Sequence, residues 1–107
     1  MSDKTTVLRQ LKIKSGVAKR LYKEQKSYVV EAEQQKIKLD RFVADGAENW
    51  DIKNAKLMLE EAHKMIADVT TKLGKSVQDL RDVLIAAEKD PELASNEEVL
   101  KAKEVLE

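Results

Sequence analysis

Cysteine is absent from this chain, which removes disulfides, thiolate metal ligands and thiol nucleophiles and leaves no reason to expect an oxidising compartment. Long apolar runs are absent too. The longest, Val83 to Ala87, is far short of the ~20 residues a membrane-spanning helix needs. The opening Met-Ser-Asp-Lys-Thr-Thr has no apolar centre of the kind a signal peptide carries. A soluble cytoplasmic protein, neither secreted nor inserted in a membrane, is the expectation.

Proline occurs once, glycine three times, and aromatic residues make up only 4% of the chain against 37% charged residues. That composition disfavours sandwiches, barrels and disordered chains and suits long helices. With 107 residues there is room for one domain, burying roughly 60 to 70% of its unfolded surface. The formal net charge is zero but unevenly placed: residues 1–26 hold eight basic and two acidic groups, and residues 27–107 hold twelve basic and eighteen acidic ones.

From about residue 5 to 43 the apolar positions Leu11, Ala18, Leu21, Tyr28, Ala32, Leu39 and Phe42 recur at three- and four-residue steps, the signature of one buried edge on a long helix. At 1.5 Å per residue such a helix is ~55 to 60 Å long. Gln25 and Gln35 interrupt the edge, as polar residues that fix register do. Asp45-Gly46-Ala47-Glu48-Asn49 supplies a helix stop followed by a helix start.

A second helix, about 49–89, shows the clearest repeat: Ile52, Ala55, Leu59, Ala62, Ile66, Val69, Leu73, Ser76, Leu80, Val83 and Ala87. This sustained 3.5-residue period predicts left-handed coiled-coil packing. Asp90-Pro91 ends it. Ser95 with Glu98 has capping-box spacing, and Val99, Ala102 and Leu106 give a shorter third helix, about 92–106, a short apolar stripe. The predicted fold is all-α: a single three-helix bundle over 1–107, up-down-up, with two long helices and a shorter third closing one end of the pair.

Chemistry-bearing patterns are sparse. Glu60 and His63 have the Glu-x-x-His spacing of di-iron bundles, but that site needs two such pairs and two more Glu, and His63 is the single histidine. A solvated histidine is the simpler reading. No phosphate loop, nucleophile elbow or paired metal-ligand motif occurs, so neither an enzyme nor a cofactor is expected. Met58 and Met65 flank the second helix's edge; burial against the third helix is the expectation, with an adaptable binding surface as the alternative. Leu57, Ile37 and Ile85 fall outside the edges, and Trp50 is placed to cover the turn into helix 2.

The basic first third is the most informative surface feature. Arg9, Lys12, Lys14, Lys19, Arg20, Lys23 and Lys26 sit where the helix dipole disfavours cations, and Lys19 and Lys23 repel at i,i+4. One explanation is internal compensation by Asp79, Asp82, Glu88, Asp90 and Glu92 on the neighbouring helices. The other is an electropositive docking face for an acidic partner. Nucleic acid fits poorly, since no aromatic platform accompanies the lysines and net charge is zero.

The run from Arg9 to Leu21, reading RQLKIKSGVAKRL, continues through Lys23-Glu24, Tyr28 and Glu31-Ala32. Gly46 and Glu48-Asn49-Trp50-Asp51-Ile52-Lys53 follow, then Met65-Ile66 with Asp68. In this order the motifs resemble the tubulin-binding cofactor A family from about Arg9 to Lys89. Trp50 stands where that family usually has Tyr, and Ala67 where many relatives have Pro, so no proline bend is carried over to helix 2.

The resemblance implies a left-handed three-helix bundle that holds quasi-native β-tubulin before assembly with α-tubulin, without ATP or metal, in the cytoplasm and in association with the cytoskeleton; the sequence leaves monomer and homodimer both open. Other tubulin-folding cofactors are indirect partners on this reading, and neither membrane nor nucleic acid is involved. The candidate β-tubulin-binding residues are Lys19, Arg20, Tyr22, Lys23 and Lys26. The competing class is a spectrin-like structural repeat, in which a Trp is usually buried inside the first helix rather than placed at a turn.

Overall fold

The computed structural model describes residues 3–107; the first two positions of the predicted 1–107 domain lie outside the described residues. Three helices form, α1 (Asp3–Ala44), α2 (Asn49–Glu88) and α3 (Glu97–Val105), and no strand occurs among the described residues. The fold is all-α, as the periodicity indicates. Helix α2 runs unbroken through Ala67.

Each break has a local cause. At the end of α1, Gly46 takes φ of 68°, which only a residue without Cβ adopts freely. The Ala47 amide then reaches back to the Phe42 carbonyl at 3.0 Å and the Gly46 amide to the Val43 carbonyl at 3.3 Å, the bond pair of a glycine-terminated helix. After α2 the Asp90 carboxylate accepts from the Glu92 amide at 2.9 Å, and the Asp90 carbonyl accepts from the Leu93 and Ala94 amides. Those bonds hold 91–95 in turns, so α3 starts at Glu97 and not near 92. The N-cap is Asn96, whose Oδ1 accepts from the Glu98 amide at 2.9 Å, in place of the Ser95 that the capping-box spacing suggested. Asn caps as well as Ser, and the turn delivers it one residue later.

The chain divides into two compact units. One joins the described residues up to Tyr22 with Lys72–Glu107 and contains three helical segments. Its core is Leu11, Ala18, Leu80, Leu84, Ala87, Leu93, Val99 and Ala102, with Val7, Leu8, Val83, Val105 and Leu106 packed at its border. Leu11, Leu80, Val99 and Ala102 are completely buried. Lys4 bonds to Glu92 and approaches Asp90 at 3.9 Å, so the start of α1 lies beside the end of α2, and Lys103 approaches Glu88 at 3.8 Å; Val105 at the end of α3 lies beside Leu73 and Val77, as an up-down-up bundle requires.

The other unit, Lys23–Thr71, is an antiparallel pair formed by the end of α1 and the start of α2. Its buried residues are Ala32, Leu39, Ala55, Ala62 and Val69, three of them alanine. Larger residues on the same edges, Tyr28, Phe42, Ile52, Leu59 and Ile66, are only half-buried. Gln25 donates from Nε2 to Thr70 Oγ1 at 2.9 Å, which ties register across the pair. Gln35 Oε1 is buried without a hydrogen-bond partner among the described residues.

Two expectations are corrected here. Met58 and Met65 are not buried against a third helix but are 40% and 39% exposed. Trp50 is 72% exposed and covers little of the turn. Leu57, Ile37 and Ile85 do point outward.

Two stability measurements follow from this packing. Leu80→Ala should lower unfolding free energy in urea by about 2 to 5 kcal/mol, whereas Leu57→Ala should change it by less than about 0.5 kcal/mol. Gln35→Leu removes a buried acceptor that makes no bond and should raise stability by about 1 kcal/mol.

Candidate partner-binding face

The five candidate residues all lie on α1 and all are exposed, Tyr22 by half. Lys19, Arg20 and Tyr22 belong to the three-helix unit, and Lys23 and Lys26 to the helix pair. Within the three-helix unit Lys19 and Tyr22 are three residues apart and so neighbours on the helix surface, with Arg20 beside them; within the helix pair Lys23 and Lys26 are likewise three apart. They are outward because Leu11, Ala18 and Leu21 occupy the inward positions of the same turns.

Internal compensation is direct at the beginning of α1. Asp90 and Glu92 engage Lys4, the first lysine. Glu88 is paired with Lys103, and Asp82 accepts from Gln78 Nε2 at 2.8 Å. Asp79 lines a shallow groove of about 380 Å³ with Lys14, Arg20, Lys72 and Lys75, four cations around one carboxylate. Asp79 thus stands among cations of the basic run itself, whereas Glu88 and Asp82 have partners outside it.

A smaller, more enclosed notch of about 250 Å³ adjoins the candidate residues. Ala18, Leu73, Val77 and Val105 line it with apolar surface, and Lys19, Tyr22 and Glu107 complete its wall. Sequence reading placed Leu73 on the α2 edge but gave no role to Val77 or Val105. Their signal lies in where α3 stops, which no periodicity in α1 or α2 contains. On α3 itself, Lys101 lies 3.2 Å from Glu97, and its pKa is raised by that hydrogen bond and by the charges of Glu97 and Glu98.

His63 is exposed on α2, facing a shallow groove with Val29, Ala32, Glu33, Lys36 and Ile66. No group of three or more His, Asp or Glu able to hold a metal ion occurs among the described residues. No described helix is long and apolar enough to cross a membrane.

These features define an all-helical protein whose most distinctive surface is a basic helix face next to an apolar notch. Residues 6–106 match the family described as Tubulin binding cofactor A, and the chain belongs to that family. It is 40% identical over 100 residues to tubulin-specific chaperone A of Homo sapiens, covering 94% of this chain and 90% of that one. To the tubulin-folding cofactor A of Arabidopsis thaliana it is 34% identical over 85 residues, covering 79% and 75%. The crystal structure of the Arabidopsis cofactor superposes with a TM-score of 0.87 at 30% identity, covering 95% of this chain and 94% of that one. The human cofactor gives 0.78 at 39% identity, covering 94% of both chains.

Proposed function

We propose that this protein captures quasi-native β-tubulin in the cytoplasm and holds it, without ATP, until it assembles with α-tubulin. The observation that carries this reading is the family match across 6–106, with relatives named as tubulin-specific chaperones. Holding requires no bond-breaking step. A protein that binds a folded client and not its unfolded form stabilises it by about 2.7 kcal/mol when free binder is a hundred times the dissociation constant. In this reading the whole of 1–107 serves as one working domain.

The contact residues in this proposal are Lys19, Arg20, Tyr22, Lys23 and Lys26 on α1. Cations in the first half of a helix oppose its dipole, and Lys19 and Lys23 repel each other at i,i+4. Attraction to an acidic client surface gives these cations a use, through faster encounter and fixed orientation.

Retention of free β-tubulin from cytosol by the tagged protein, without α-tubulin, tests the function directly; no retention refutes it. Lys19→Glu, Lys23→Glu and Lys26→Glu combined should weaken capture about tenfold at low salt and flatten its salt dependence. Unchanged capture at low salt by that variant refutes the assignment of the face.

A further inference from the structure

We propose that the groove between α1 and α2 in the three-helix unit is a carboxylate-binding site: it takes one Asp or Glu side chain of the client, held by the Ser76 hydroxyl and by the ammonium groups of Lys14 and Lys75. This rests on the function proposed above and deepens it by naming a chemical group the client must present. The site adds positions outside the candidate face, with Arg20 alone common to both.

Ser76 is the one polar residue in the α2 repeat, and it is only 7% exposed. Alanine at this position would keep the packing, raise helix propensity and leave no hydroxyl to satisfy. A buried polar group ordinarily has a partner, yet the Ser76 side chain makes no hydrogen bond among the described residues. It lines the groove of about 380 Å³, which Val17 and Leu21 floor and the exposed Ile13 borders. Helix α3 takes no part in this groove. The α1 residues that share a hollow with α3 are Lys12, Ser15, Gly16 and Lys19, on another arc of the helix. Glu107 borders Lys19 and Tyr22 on that other arc too.

The charge of the groove stays positive when its neighbours are included. Arg20 and Lys72 on its walls have further partners, and Glu24 and Asp68 stand four residues from them in sequence, so these four charges cancel in the count. Arg9 lies about one turn before Ile13 on the same side of α1, and Asp82 lies one turn beyond Asp79 on α2, where it accepts from Gln78. Arg9, Lys14 and Lys75 against Asp79 and Asp82 leave an excess of one positive charge, which one carboxylate neutralises. Neither Lys14 nor Lys75 is ion-paired among the described residues, so Asp79 leaves both ammonium groups to an incoming carboxylate. There the carboxylate meets a hydroxyl donor over an apolar floor, where a charge-assisted hydrogen bond is stronger than in water. The two lysines add an attraction that salt weakens.

The experiment measures β-tubulin capture by the full-length protein and its Ser76→Ala, Lys75→Gln and Asp79→Asn variants at low and high salt, with urea unfolding of each free variant alongside. Ser76→Ala should weaken capture about tenfold while unfolding at the same or a higher urea concentration, a combination that a serine with only a packing role does not give. Lys75→Gln should weaken capture about threefold at low salt and little at high salt. The two changes together should cost less than the product of their separate effects, because both act on one carboxylate. Asp79→Asn removes the competing charge and should tighten capture. Wild-type capture by Ser76→Ala overturns the proposal, as does weaker capture by Asp79→Asn. Sedimentation of the free protein as a dimer that Lys75→Gln dissociates assigns the groove to a second copy and also overturns it. Failure of the unmodified protein to retain β-tubulin defeats the underlying function, an outcome distinct from a variant that captures as well as the wild type.

Discussion

A pair of helices can bury completely only the side chains that fit between their axes. That constraint orders this structure. On the part of α2 that belongs to the helix pair the edge alternates large and small residues, and the small positions Ala55, Ala62 and Val69 are the ones almost closed to solvent. In the helix pair, Ile52, Leu59 and Ile66 lie on the same edge yet stay half-exposed. In the three-helix unit Leu80 and Leu11 are fully buried, because α3 supplies Val99 and Ala102 as the missing wall. Nine helical residues thus convert a narrow edge into a core.

The same constraint decides where apolar surface is left for a partner. Val30, Ile37, Leu57, Met58 and Met65 are exposed in the helix pair, scattered along its outer positions. At the end of α3 the exposure is concave and concentrated, with Lys19 and Tyr22 at its edge.

Much of this was legible in the residues. The repeat beginning at Ile52 located the α2 edge, and every position in it from Ile52 to Ala87 is buried or half-buried. Gly46 marked the first reversal because a positive φ there has few other solutions. The α3 boundary was less legible, since Ser95 and Asn96 are both good caps and the choice was made by the Asp90 turn. The exposure of Met58, Met65 and Trp50 depends on tertiary covering that local pattern does not encode. The basic run on α1 was plain in sequence, but the notch beside it needs residues from three helices at once.

Backbone hydrogen exchange on the free protein, resolved by residue, tests most directly the claim that α3 turns a thin edge into a core. The slowest amides should fall around Leu11 to Ala18 and Leu80 to Ala87, where three segments pack, with faster exchange throughout 23–71. Protection in 23–71 equal to or greater than that around Leu80 would contradict the account.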